Sequence, residues 1–170
     1  MEVGGSKRGM IESIVRFFNE DQWNYQILEP GNAIRAGYRG EHGTWICIAR
    51  AEAESRRFLF SAGMGMNIAP QYRQAVMEYF TRVNCGLTVG AFLMDLNTGD
   101  VRFKAGIEAP DGTISTETVR ATAITCVQAM DHYFPGVIEV IRGRLTPEAA
   151  LARVENQPVE GTPARAVIQR

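Results

Sequence analysis

The sequence contains few residues that could carry covalent or metal chemistry. Its 170 residues include three cysteines and two histidines, and no Cys-x-x-Cys pair is present. Cys47, Cys85 and Cys126 are far apart in sequence and lie among apolar neighbours. We therefore expect these cysteines to be small buried hydrophobic residues of a protein in a reducing compartment. The usual sequence signals of a zinc site or of disulfide redox chemistry are therefore missing.

An excess of charge and a long apolar run are also lacking. Eighteen basic and nineteen acidic residues give a net charge of −1, whereas general nucleic-acid binders usually have strongly basic surfaces. No apolar run approaches the roughly 20 residues of a membrane span. Polar residues also interrupt the segment after Met10, unlike the apolar stretch of a signal peptide. We expect a cytoplasmic protein with no membrane span and no nucleic-acid partner.

The apolar residues that are present recur with helical and strand periods. Ile11, Ile14, Val15 and Phe18 form the stripe of an amphipathic helix, which should end near Asp21. A second helix should begin at residue 70, and a third should run from an N-cap at 115 to about 133, where a Pro-Gly pair at 135–136 should break or kink it. The predicted strands are 25–28, 33–39, 44–50, 55–62, 91–96 and 101–107.

These elements predict an α+β fold with an antiparallel sheet packed against helices, in the order α-β-β-β-β-α-β-β-α. The strand at 44–50 is so apolar that we expect it to be more fully buried than the others. The glycine- and methionine-rich residues 63–66 should form a flexible connection before the second helix.

The composition changes after Gly143. The sequence Thr-Pro-Glu at 146–148 predicts a short helix through Val154. From Gln157 onward, two prolines and a glycine with little apolar periodicity predict a flexible or partner-dependent tail. We therefore divide the chain into a domain at 8–143 and a C-terminal extension at 144–170.

Several short motifs follow one another in a specific order over residues 8–143, and together they resemble the YbjN family of bacterial proteins. The motifs are Tyr38–Trp45 (YRGEHGTW), Ala49-Arg50, Pro70, Tyr79, Thr81-Arg82, Asn84, Gly86-Leu87, Gly90–Phe92, Asp95-Leu96, Gly99–Arg102, Met130–Pro135 and Ile141–Gly143. This resemblance implies a fold similar to type III secretion chaperones, with a twisted antiparallel sheet and homodimers. It also implies a role in sensory transduction, and it supplies no catalytic residues.

Residue patterns that could support chemistry have simpler explanations. Gly63–Ile68 lies between a strand and a helix but lacks the third glycine of a dinucleotide fingerprint and the lysine of a P-loop. Asp131 and His132 adjoin, yet neighbours on a helix point about 100° apart, so we expect Asp131 to cap or pair near the end of its helix. His42 should be solvated in its turn. We predict no catalytic, cofactor-binding or metal-binding residues, and no cofactor.

Two further patterns could support chemistry, namely an acidic turn and a cysteine. Asp95 and Asp100 flank a turn, where Asx hydrogen bonds explain them better than calcium does. Cys85 lacks a histidine nearby in sequence, although folding could bring one to a hydrolase site.

A binding role is the function that these observations favour. Arg35, Arg39, Arg102 and Lys104 alternate with buried positions and could line one sheet face, either as ordinary solvated residues or as a basic patch for a partner. Exposed methionine and aromatic residues would suit adaptable recognition, although a core position explains them better; the candidates are Met64, Met66, Phe92 and Met94. We predict a non-enzymatic, protein-binding regulator or chaperone-like adaptor, homodimeric, with an unidentified protein partner. The alternatives are a small-molecule sensor and a small hydrolase.

Overall fold

The computed structural model describes residues 3–52, 54–156 and 165–166. Three helices and six strands follow one another in the predicted order, and one further helix and one short strand follow them. The helices are α1 Val3–Glu20, α2 Pro70–Gly86, α3 Thr116–Ile141 and α4 Pro147–Glu155. The strands are β1 Tyr25–Leu28, β2 Ala33–Arg39, β3 Thr44–Glu52, β4 Arg57–Asn67, β5 Ala91–Met94, β6 Asp100–Glu108 and β7 Arg165–Ala166.

All strand pairs of the sheet are antiparallel. The strand order is β1-β2-β3-β4-β6-β5, and β7 pairs with the end of β2 at Tyr38 and Arg39. The α+β fold with an antiparallel sheet and helices is therefore confirmed. The predicted flexible tail lies outside the described residues except for β7, which is hydrogen-bonded to the sheet.

The helices cover one face of the sheet. α1 contacts β3, α3 contacts β4 and β6, and α2 contacts β5. Alternate strand residues point into this layer, so β2, β3 and β6 contribute about every second side chain to the core. The largest fully buried side chains are Trp45, Tyr79, Phe17, Phe18, Phe58, Phe60, Phe103, Met10, Ile14, Ile34, Met130 and Val76.

The prediction that the third strand is more fully buried was wrong. In β3, Trp45, Cys47, Ala49 and Ala51 are buried, but Ile46 is 37 % exposed on the opposite face. The run of apolar residues hides the alternation, because isoleucines occupy positions on the face that the helices leave open.

The predicted flexible connection at 63–66 is also wrong, since these residues belong to β4. The pairing shifts between Gly63 and Asn67, which oppose Arg102 and Asp100 of β6. Three β4 residues therefore face Val101 alone, as in a β-bulge. Gly65 has a φ of +68° at this irregularity, a conformation that glycine adopts without a steric penalty.

The third helix does not break at Pro135 but continues to Ile141. Pro135 has no N–H to donate to the preceding turn, and the side chain of Tyr79 provides a hydrogen bond nearby, from its hydroxyl to the carbonyl of Tyr133 at 2.9 Å. Val137 and Val140, beyond the proline, are buried. Tertiary packing on both sides of the proline thus keeps the helix continuous.

The β5–β6 turn is held by side chains on both sides. Asp95 Oδ1 accepts hydrogen bonds from the backbone N–H groups of Asn97 and Thr98 at 2.8 and 3.4 Å, which confirms the Asx turn. The bond from Asn97 is the main reason why the pKa of Asp95 lies below its ordinary value. From α2, Arg73 donates to the carbonyls of Ile68, Leu96, Asn97 and Thr98.

Candidate binding surface on the sheet

The face of the sheet opposite the helices, which we call the open face, presents complete rows of side chains across the strands. One row joins neighbouring residues of all six strands, in the order Gln26, Arg35, Ile48, Ser61, Lys104 and Ala91. The next row consists of Gly37, Ile46, Gly63, Arg102 and Leu93. Because adjacent strands lie about 4.8 Å apart, Arg35 and Lys104 have Cα atoms roughly 14 Å from each other.

A groove of about 380 Å³ crosses the open face from β3 to β5. Its apolar lining consists of Ile48, Leu59, Leu93 and Met94, with Ser61 between them. Its charged lining consists of Arg50, Glu52, Asp95, Asp100, Arg102 and Lys104. An apolar floor with charged sides is the composition of a surface that can bury part of a partner and orient it.

The acidic side chains of the open face already have partners. Asp100 accepts from Arg102 at 2.5 Å, Glu108 pairs with Arg57 at 3.5 Å, and Glu52 accepts from Ser55 at 3.0 Å.

The basic side chains of the same face are less engaged. Arg35, Arg39, Arg50 and Lys104 form no ion pair with any residue that the structure describes. The basic side chains without an ion pair on the open face therefore outnumber the acidic ones without an ion pair, Glu52 and Asp95, although the whole chain has a net charge of −1.

The predicted partner-binding residues separate into two groups. Arg35, Arg39, Arg102 and Lys104 lie together on the open face, as their alternation indicated. Met66 is 52 % exposed within the β-bulge, but Met64 is only 6 % exposed and belongs to the core. The assignment of Met64 to a partner surface was therefore wrong, because the alternation of β4 points its side chain toward the helices.

Of the other apolar candidates, Phe92 is also a core residue. Its ring stacks on Phe80 with centroids 4.4 Å apart and contacts Phe103 edge-on at 4.9 Å. Met94 is half-buried and lines the groove.

Sequence reasoning missed three residues of the open face, Ile46, Arg50 and Leu93. Leu93 is 51 % exposed, in the same row as Ile46. The large or small apolar residues at every second position of the predicted strand at 44–50, which are tryptophan, cysteine and alanine, could have placed Ile46 and Arg50 on the opposite face, although the isoleucines make this alternation hard to recognise.

A second cluster of polar residues joins α3 to the turn between β2 and β3. Asp131 accepts hydrogen bonds at Oδ2 from the N–H of Glu41, at 2.9 Å, and at Oδ1 from the N–H of His42, at 3.0 Å. The indole N–H of Trp45 also donates to Oδ1, at 3.1 Å. A Cβ at Gly40 would overlap Asp131, so glycine is needed for the close approach.

This arrangement corrects the expectation for Asp131 and His42. Asp131 caps the β2–β3 turn rather than the end of its own helix, which lies ten residues further on. His42 is not simply solvated, because its Nδ1 lies 3.5 Å from Asp131 Oδ2. The neighbour in sequence, His132, instead packs on Tyr133 with ring centroids 4.8 Å apart.

The cysteines show little sign of nucleophilic chemistry. Cys47 and Cys126 are buried as predicted, and burial raises the pKa of Cys126 to about 12 and that of Cys47 further. Cys85 is exposed, which corrects the expectation that all three are buried. The adjacent Asn84 has a structural role, since its side chain donates a hydrogen bond to the carbonyl of Phe92 and accepts one from the N–H of Phe92.

A smaller cavity of about 230 Å³ lies between α3, α4 and the β2–β3 turn. Phe134, Gly136, Ala150 and Val154 contribute apolar surface to it, and His42 lies at its edge. Pockets for small molecules are commonly about 300–1,000 Å³, so this cavity is small for that purpose.

Comparison with known proteins places the fold and the family. Residues 11–139 match the model of the YbjN family, described as "Putative bacterial sensory transduction regulator". A crystal structure of YbjN from E. coli, described as "a putative transcription regulator", superposes with a TM-score of 0.55 at 9 % identity. The alignment covers 78 % of this chain and 90 % of that chain. No curated protein gives a significant match, and none of the described helices has the length and apolar character to span a membrane.

Proposed function

This chain belongs to the YbjN family of bacterial regulators, and from that premise we propose that it works by binding a partner protein on the open face. The observation that carries the proposal is an apolar groove on a sheet face that no described helix covers, with basic residues on that face that have no counter-ion among the described residues. The partner that fits is an extended protein segment that presents both acidic and apolar side chains on one side, at every second position, because successive side chains of an extended chain point to opposite sides. Its apolar side chains would contact Ile48 and Leu93, while its carboxylates would pair with the free cations.

Charge argues against a second copy of the chain as the occupant of this face. Two open faces brought together would oppose Arg35, Arg39, Arg50 and Lys104 to the same four cations, and like charges across an interface are unfavourable. A homodimer, which the resemblance implies, would then use another surface. Our proposal is thus an adaptor that keeps its open face available in a dimer.

The proposed role is regulatory and not enzymatic, in the cytoplasm, where the free cysteines would stay reduced. Asp131, the carboxylate nearest to a histidine, is already used to cap a turn. The small-molecule alternative would use the cavity beside α4, and we rank it second because that cavity is small.

The test is a selection of random 16-residue peptides from a display library against the full-length chain, followed by titration calorimetry of the enriched peptides. We expect acidic–apolar sequences whose affinity falls at least tenfold when Arg35 and Lys104 are both changed to glutamate. The matched control is Arg142→Glu, which reverses an exposed charge at the end of α3 and should leave the affinity unchanged.

Two results would contradict the proposal. One is peptide binding that the charge reversal on the open face does not weaken. The other is tight binding of a labelled DNA duplex that the same reversal abolishes, since the face would then be a nucleic-acid surface. Sedimentation of the wild type and of Leu93→Asp tests whether a second copy of the chain occupies the open face. Loss of a dimer in this variant would show that it does.

A further inference from the structure

We propose that Glu41, His42 and Asp131 form a binding site for a first-row divalent transition-metal ion, with Zn²⁺ as its probe. Sequence analysis predicted no metal site, because no set of ligands has a recognisable spacing. The fold joins the three residues across about 90 positions of the chain, since α3 docks on the β2–β3 turn. This inference does not depend on the proposed function of the open face.

The distances suit a metal ion without rearrangement of the backbone. One ligand atom from each of the three side chains lies within 4.8 Å of the others. His42 Nδ1 and Asp131 Oδ2 are 3.5 Å apart. Two ligands at bonds of about 2.1 Å to a tetrahedral zinc ion would be about 3.4 Å apart, so this pair already has the separation that the ion requires.

The hydrogen bonds of Asp131 leave the correct oxygen available. A carboxylate oxygen has two lone pairs, and Oδ1 uses both for the N–H groups of His42 and Trp45. Among the described residues, Oδ2 accepts a hydrogen bond only from the N–H of Glu41, so one lone pair remains on the oxygen that faces His42. The same three N–H groups hold the carboxylate in place, as partners of metal-bound carboxylates commonly do.

The other two ligands are accessible and uncommitted. The side chain of His42 is 39 % exposed, and the carboxylate of Glu41 is exposed without an ion pair or hydrogen bond among the described residues. One imidazole with two carboxylates is a nitrogen and oxygen set that suits zinc and its neighbours better than magnesium, which prefers oxygen ligands and water. Water can complete the coordination on the solvent side.

Titration calorimetry of the tag-free, full-length protein with Zn²⁺ tests this site. Every protein carries Cys85→Ser, so that the exposed thiol cannot bind the ion. We expect one Zn²⁺ per chain, and we expect His42→Ala and Glu41→Gln each to weaken binding at least about tenfold. Mg²⁺ in tenfold excess should not compete.

The matched control is His132→Ala, because it removes the other histidine of the chain from a position next to Asp131. Its affinity for Zn²⁺ should equal that of the parent protein. The fluorescence of Trp45, whose indole bonds to Asp131, should change on addition of Zn²⁺ in the parent and not in His42→Ala. Glu41→Gln alters only an exposed side chain, so it keeps the test valid if His42→Ala fails to fold.

Three results would overturn the proposal. The first is the absence of Zn²⁺ binding at millimolar concentration. The second is an affinity of His42→Ala and of Glu41→Gln that equals the affinity of the parent protein. The third is loss of binding in His132→Ala. The second result would mean that the ion binds elsewhere on the protein, and the third would mean that His132 is the ligand instead of His42.

Discussion

At the scale of single residues, the two histidines have different environments although both lie near Asp131. His42 comes from the β2–β3 turn and faces the carboxylate. His132 is half-buried on α3, and burial, together with the nearby His42, lowers its pKa below the ordinary value of 6.5. Sequence adjacency therefore does not identify which histidine interacts with Asp131.

The lowered pKa of His132 predicts a pH dependence of stability. Between its folded-state pKa and about 6.5, the unfolded chain binds more protons at this residue than the folded chain. The free energy of unfolding should therefore decrease as the pH falls below about 6.5. Urea unfolding at pH 7.5 and pH 5.5 measures this decrease, which should be smaller in His132→Asn. An identical decrease in the variant would contradict the lowered pKa.

At the scale of elements, the continuity of α3 depends on its contact with α2. Gly136 follows the proline and is buried, and a Cβ there would overlap the ring and hydroxyl of Tyr79. Tyr79 in turn donates to the carbonyl of Tyr133. Glycine at 136 thus allows the contact that stabilises the helix around Pro135.

Gly136→Ala should lower the free energy of unfolding by about 1–3 kcal/mol, as overpacking does in a buried site. Helix propensity alone favours alanine over glycine by roughly 1 kcal/mol, so the two effects have opposite signs. Urea unfolding distinguishes them, with Gly86→Ala as the control. That glycine ends α2, and a Cβ there would meet only Glu155, at 3.9 Å. A stabilised Gly136→Ala protein would show that Tyr79 moves aside easily.

At the scale of the whole molecule, the helices pack on one face of the sheet, and the open face is the opposite one. α4 adds to the helical side although it lies beyond the family match at 11–139. It begins with the Thr146 cap, whose hydroxyl accepts from the N–H of Ala149 at 3.2 Å, and it buries Ala150 and Val154. The boundary after Gly143 remains a prediction, and α4 provides the means to examine it.

A chain that ends at Arg144 should be less stable than one that ends at Asn156. The shorter chain loses the buried side chains of α4, which should cost roughly 2–4 kcal/mol, since a fully buried valine or leucine contributes about 1.5–3 kcal/mol. Thermal unfolding of both chains, beside the full-length protein, measures the difference. Equal melting temperatures for the two truncated chains would mean that residues 8–143 are sufficient for the fold.

The sequence by itself determined the order of the elements from α1 to α3 and the alternation of faces in β2 and β6. The bounds of β1 and β2, the caps at Ser115 and Thr146, and the alternation that places Arg35 and Arg39 on one face of β2 follow from periods and caps that act over a few residues. Tertiary structure alone decided that α3 continues past Pro135, that the pairing of β4 shifts between Gly63 and Asn67, and that Asp131 meets His42. Each of these depends on packing or hydrogen bonds between distant residues, such as the 89 positions that separate His42 from Asp131. Patterns that span a few residues do not specify such contacts, because these contacts form only when distant parts of the chain pack together.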